Sequence, residues 1–245
     1  MKDTVHDVGT GVTAEEVVAE LLAMRDPARA ELQKRYFKTG PGQYGEGDEF
    51  LGIGVPVLRK RSRALRAIAL SEVLELLYSP YHEARLLAVL AMVEQYQRGN
   101  QESRQHVYDL YLENAQRINN WDLVDSSAEH IIGAHLLGRD RKVLKKLARS
   151  KSIWERRIAV LSTFHFIRNG EFQDSLELAE FLIDDREDLV HKAVGWMLRE
   201  VGRRDRQELD EFLSLHYERM PRTMLRYAIE KHEPGERRRY LDGTI

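Results

Sequence analysis

The chain repeats itself by position, not by letter. Arg85, Trp121, Arg157 and Lys192 each stand near the start of a long apolar helical pattern, each pattern follows a shorter one, and the spacings are 36, 36 and 35 residues. A two-helix unit of that length cannot bury its apolar face alone and does so on its neighbours, which is the signature of an α-solenoid. The expected fold is therefore all-α, with inner helices lining one concave groove. Four residues beyond each marker lie Val89, Asp125, Leu161 and Trp196. Equivalent positions project onto adjacent strips, so Trp121, Asp125, Arg157, Lys192 and Trp196 are predicted to converge.

Local signals agree with helices throughout. Thr13 followed by Glu16 forms a capping box, and Val17, Val18, Leu21 and Leu22 continue it as an apolar stripe. Asp26-Pro27 ends that helix and opens another through Tyr36. Further helices are expected near 56–67, 71–78, 81–98, 101–116, 120–137, 140–149, 153–168, 172–184, 187–203, 206–218 and 221–231. Residues 38–49, with Pro41 and Gly40, Gly42, Gly45 and Gly47, break the rhythm. They read either as a flexible connection or as a short projecting hairpin with Tyr44 at its middle. The glycines resemble a phosphate loop only superficially, since no Gly-Lys-Ser/Thr follows.

The 245 residues, 42% of them hydrophobic, suffice for one sizeable core, and a single domain over 1–245 is expected. Without cysteine the chain has no disulfide and no thiolate site. Of nine histidines none sits in a ligand spacing, His130 and His135 being five apart, so no metal is expected. No apolar run approaches the roughly 20 residues that span a bilayer, and the start, MKDTVHDVGTGVTAEE, lacks an export signal. A soluble cytoplasmic protein without membrane contact follows, with monomer as the default state. The net charge is −2, yet basic residues cluster at Arg59–Arg66, Arg139–Arg149 and Arg237–Arg239. Such clusters are either solvated helix faces or local positive surface that phosphates feel.

Trp121 and Asp125 share one helix face, Asp122 points elsewhere, and Leu123 lies roughly opposite. Arginine, lysine and tryptophan suit a phosphodiester backbone with exposed sugars. A carboxylate there repels phosphates and needs another task; one is to stabilise the oxocarbenium-like state of glycosidic cleavage. Each residue also has a structural alternative: Trp121 as a packer between repeats, Asp125 paired to a buried arginine, Arg157 in an ion pair, and Trp196 beside Gly195 at a close helix contact. Trp154 reads as a packing residue.

These residues carry a resemblance. Arg35-Tyr36-Phe37, Phe50-Leu51-Gly52-Ile53 with Pro56 and Arg59, Trp121-Asp122-x-Val124-Asp125, Trp154-x-x-Arg157 and Lys192-Ala193-Val194-Gly195-Trp196-x-Leu198-Arg199-Glu200 together resemble the HEAT-like-repeat DNA alkylation repair glycosylases, the AlkD family. The resemblance covers most of the chain. It implies a base-excision enzyme without cofactor that hydrolyses the N-glycosidic bond of N3- or N7-alkylated purines in double-stranded DNA. It gives Asp125 the role of catalytic carboxylate, Trp121 and Trp196 that of cradling the deoxyribose, and Arg157 and Tyr36 that of DNA contacts; repeat register adds Lys192. Residues 38–49 are an insertion that the simplest members lack. They resemble a branch that binds DNA, branched DNA included, without evident excision. A noncatalytic DNA binder is thus the alternative, and a scaffold for protein partners a third reading.

Overall fold

The computed structural model describes residues 11–245; the first ten, part of the start read for an export signal, lie outside the described residues. The fold is all-α. Among the described residues there is no strand, only an isolated bridge between Glu49 and Tyr81. The chain divides into two compact units, the first ending at Ser127 and the second starting at Ala128.

The first unit holds α1 (Ala14–Ala23), α2 (Pro27–Tyr36), α3 (Val55–Ala64), α4 (Leu70–Leu77), α5 (His82–Arg98), α6 (Gln101–Glu113) and the one-turn α7 (Trp121–Asp125). The capping box forms as expected: Thr13 accepts from the Glu16 amide and Glu16 from the Thr13 amide. α5 is the hub. It packs on α3, α4, α6 and α7 and is buried on nearly every side, including the polar His82, Glu83 and Arg85 of its first turn. The glycine-rich segment is neither a projecting hairpin nor a bare tether. Turns fold it back on itself, with Gly45 N–H on the Lys38 carbonyl at 3.1 Å and Asp48 N–H on that of Gly45 at 3.0 Å. Its end re-enters the core as buried Asp48 and Phe50.

The helix expected over 120–137 is interrupted. After α7, Ser127 donates its hydroxyl to the Leu123 carbonyl at 2.6 Å and meets the buried Tyr111 hydroxyl at 2.9 Å. Such a back-bond bends a helix slightly; Ser162 makes the same one to Ile158 inside the unbroken helix Ile153–Arg168. The expected order of a shorter helix before a longer one is also reversed here, since α6 has 13 residues and α7 five.

The second unit begins with a π-helical stretch, Glu129–Gly133, running into α8 (Ala134–Leu136). There follow α9 (Lys142–Ala148), α10 (Ile153–Arg168), α11 (Gln173–Phe181), α12 (Asp188–Gly202), α13 (Arg206–His216), α14 (Arg222–Ala228) and α15 (Pro234–Asp242). Contacts are between neighbours: α10 packs on α9, α11 and α12, and α12 on α11, α13 and α14. This is the pattern a repeat needs to bury faces that one helix pair leaves open. The helix carrying Arg237–Arg239 was not among those expected, although Pro234 at its first turn is an ordinary start signal.

Gly52 joins the first unit's parts. Its φ is +85°, and a Cβ there would lie 2.2 Å from the Asp26 carbonyl oxygen. The Gly52→Ala variant is expected to lose about 2–4 kcal/mol of stability through strain and steric conflict. Urea unfolding of the two proteins side by side measures it.

Candidate functional site

In the first unit the polar start of α5 organises the residues around α7. Glu83, almost wholly buried, accepts from the amides of Leu51 and Gly52 at 2.9 Å and of Ile53 at 3.1 Å. Three amide donors satisfy a carboxylate that water cannot reach. His82, 2% exposed, lies between two carboxylates: its Nε2 is 2.8 Å from Asp122 Oδ2 and its Nδ1 3.4 Å from Asp48 Oδ2. Arg85 donates to the other Asp48 oxygen at 2.6 Å, and the Asn120 amide donates to Asp48 at 3.1 Å. The opposite end of Asn120 accepts from the Trp121 amide at 2.8 Å and caps α7.

Aromatic rings continue the cluster to the indole. His82 stacks on Phe50 at 4.5 Å and tilts over Phe37 at 4.9 Å. Phe37 lies nearly parallel to Trp121, with centroids 5.1 Å apart and planes 10° apart. Tyr36, 68% exposed, meets the indole edge-on at 5.8 Å. Trp121 and Asp125 are both half-buried at the two ends of α7, whereas Asp122, Leu123 and Val124 are buried. Sequence reasoning separated Asp122 from Asp125 by direction but missed the task of Asp122, which is to hold His82. The Asp125 charge reaches Tyr111, whose phenol is pushed up by burial and further by that carboxylate.

In the second unit, Trp196 is half-buried on α12 and 5.9 Å from Phe164 of α10. Arg168 and Arg204 both lie over the Phe164 ring, at 4.5 and 5.6 Å. Arg168 pairs with Glu129 at 3.0 Å; Glu200, buried, pairs with Arg199, Arg203 and Arg204 at 3.4, 3.3 and 3.1 Å. Burial raises the Glu200 carboxyl, but the three arginines outweigh that and hold it below its ordinary range. Arg199 also pairs with Glu230, so Arg168, Arg199, Arg203 and Arg204 face the three carboxylates of Glu129, Glu200 and Glu230. Lys192, half-buried, pairs with Asp188 at 2.8 Å. Arg157 is 5% exposed and donates to the Leu189 carbonyl, so it fastens the start of α12 as well as standing where a phosphate contact was expected. Trp154 is buried, in keeping with packing.

The basic clusters divide. Arg59, Lys60, Arg63 and Arg66 are exposed along and just beyond α3. In the 139–149 cluster, by contrast, Arg141 pairs with Glu171 and Asp174, Lys142 with Asp140 and Lys145 with Glu177. A cavity of about 470 Å³ lined by Lys145, Arg149, Glu177, Phe181 and Arg219 includes none of the sequence-predicted residues. Asp210, His232 and Glu236 place three ligand-type atoms within 4.8 Å of one another. Arg206 spans both carboxylates, at 2.7 Å from Asp210 and 2.5 Å from Glu236, and already supplies their positive charge.

The sequence profile of the DNA alkylation repair enzyme family matches residues 17–232. The chain belongs to the DNA alkylation repair enzyme family. A solved structure described as a predicted DNA alkylation repair enzyme from Enterococcus faecalis shares the fold, with a TM-score of 0.65 over 86% of this chain and 97% of that one, at 16% identity. No curated protein matches the chain. For this family member DNA is the partner and alkylation damage the context. Among the described residues no helix is long and apolar enough to cross a membrane.

The buried imidazole gives a pH signature. Burial opposes the charge on His82, but hydrogen bonds to Asp122 and Asp48 overcome that cost and raise it from 6.5 to about 9. A folded-state value above the unfolded one stabilises fully below pH 6.5 and is lost as pH rises through about 9. Burial lowers His165 and His232, so their contributions fall below this window. Unfolding free energy is therefore expected to decline between pH 6.5 and 9 by up to about 3 kcal/mol. Denaturation across that range checks it, and His82→Gln is expected to flatten the curve.

Proposed function

We propose that the protein is a monofunctional DNA glycosylase that hydrolyses the N-glycosidic bond of N3- or N7-alkylated purines. The observation that carries the reading is the arrangement on α7. An indole braced from below by Phe37 and at its edge by Tyr36 stands one turn from a half-buried carboxylate. The reaction asks for little more. The alkylated purine is already cationic; as the bond from C1′ to N9 breaks, its electron pair passes to the base, which leaves neutral, and positive charge moves to the sugar. Asp125 stabilises that charge and orients the water that adds to C1′, accepting its proton or passing it to solvent. Trp121 and Trp196 pack on the deoxyribose, so the damaged base needs no enclosing pocket.

Tyr36 and Lys192 are assigned to the DNA backbone. Arg157 joins them through the small part of its surface that stays exposed. Support from the second unit is the pair Arg168 and Arg204 over Phe164, the ring next to Trp196, since guanidinium groups beside aromatic rings suit phosphates next to sugars and bases. Base excision in the cytoplasm, by a monomer acting on duplex DNA, completes the reading.

Asp125→Asn keeps the shape and removes the charge. Single-turnover release of N7-methylguanine from methylated duplex is expected to fall about 100-fold or more. Affinity for the same duplex should hold or tighten slightly, because a negative charge near phosphates is gone. Unchanged release would take Asp125 out of the mechanism. Absence of release from the unmodified protein, with tight salt-sensitive binding to a branched duplex, would instead identify a noncatalytic DNA binder, and salt-insensitive behaviour a protein scaffold.

A further inference from the structure

Both ring nitrogens of His82 face carboxylates, Nε2 that of Asp122 and Nδ1 that of Asp48. A neutral imidazole has one N–H and one lone pair, so it would turn a lone pair on one of them. Only the doubly protonated ring satisfies both. Three routes lead from this ring to Trp121. Asp122 is the next residue in the first turn of α7. Asp48 holds Asn120, and Asn120 accepts from the Trp121 amide. Phe37 touches His82 on one side and lies parallel to the indole on the other.

We propose that His82 is a positioning residue for Trp121, and that Asp48, Asp122 and Phe37 transmit its protonation state to the orientation of the indole. The effect on catalysis rests on the glycosylase reading; the effect on the indole does not. If the ring loses a proton, one carboxylate meets a lone pair at a buried position. The network then relaxes through whichever arm yields, and three of those arms end at Asn120, Trp121 or Phe37, while Arg85 is tied to the Ser79 and Pro80 carbonyls. The charged groups facing His82 are Asp122 from α7, Asp48 from the glycine-rich segment, and Arg85 on α5 itself, while Glu83 is committed to the Leu51–Ile53 amides. Phe37 and Phe50 close the remaining sides without charge. The mechanism so far gives this cluster no part.

The full-length protein labelled with ¹⁵N at its indoles gives a direct readout, with Trp121 assigned by its loss in Trp121→Phe. Between pH 6.5 and 9.5 the Trp121 signal is expected to shift with a midpoint near 9, while those of Trp154 and Trp196 stay. In His82→Gln the Trp121 signal should stay as well. Single-turnover release of N7-methylguanine by folded His82→Gln, with Asp122→Asn as a second variant, is expected to drop about tenfold or more while the Kd for duplex stays within about threefold, as for a misplaced reacting geometry. A Trp121 signal that does not move in the unmodified protein, or moves equally in His82→Gln, overturns the proposal, and so does full release by both variants. Should the unmodified protein release no base, the glycosylase reading fails while the indole titration still decides the positioning one.

Discussion

The first unit depends on a buried cation held between two carboxylates. Taking His82, Asp48, Asp122 and Arg85 out of water costs several kcal/mol per ion, and only mutual pairing with good geometry offsets it. That makes the cluster close to all-or-none: removing one member leaves another charge stranded, which costs more than the pair contributed. It draws together segments 34 and 40 residues apart in sequence. An apolar contact tolerates sliding by a methylene, whereas hydrogen-bonded ions do not. A short helix with only one turn of its own therefore acquires a fixed position from the charges beneath it.

The second unit is ordered by a different device. Its long helices, α10 and α12, are buried along most of their length, and arginines fasten successive elements about 30 residues apart: Arg156 on α10 to Asp185, Arg199 on α12 to Glu230, and Arg206 on α13 to Glu236 on α15. The pairs of Arg199 and Arg206 are partly exposed and stabilise little individually, whereas that of Arg156 with Asp185 is largely buried. Around Phe164 the pattern changes, because Glu200 is shared among three arginines, one of which, Arg204, lies over the Phe164 ring.

Much of the fold was legible in the sequence because helix signals are local. The Thr13 capping box, the proline start of α2 and the long patterns of α5, α10 and α12 all require only neighbours within a few residues. The spacing of Arg85, Trp121, Arg157 and Lys192 extended this to repeats, and Val89 and Leu161 proved buried at the equivalent places. The break after Asp125 had no local signal, since the bond of Ser127 to the Leu123 carbonyl has an equal in that of Ser162 to Ile158 within the unbroken α10. Of the candidate site, Trp121 and Asp125 could be paired by helical spacing, and resemblance named Tyr36 as a DNA contact, but its packing on the indole appears only in the fold. Of the ions below them only Arg85 left a trace in spacing. His82 and Asp48 look like surface residues in one dimension, and only folding reveals that each is the other's solvent.

Asp48 also changes what the glycine-rich segment means for the history of such a chain. The loop delivers one of the two carboxylates on which His82 and Arg85 depend, so it cannot be trimmed alone. A descendant that shortened it would bury an imidazole and a guanidinium with one acid between them. The economical path is for positions 48, 82, 85 and 120 to change as a set, with the loop. The length of the segment and the charges beneath α7 are in this sense one structural character, not two.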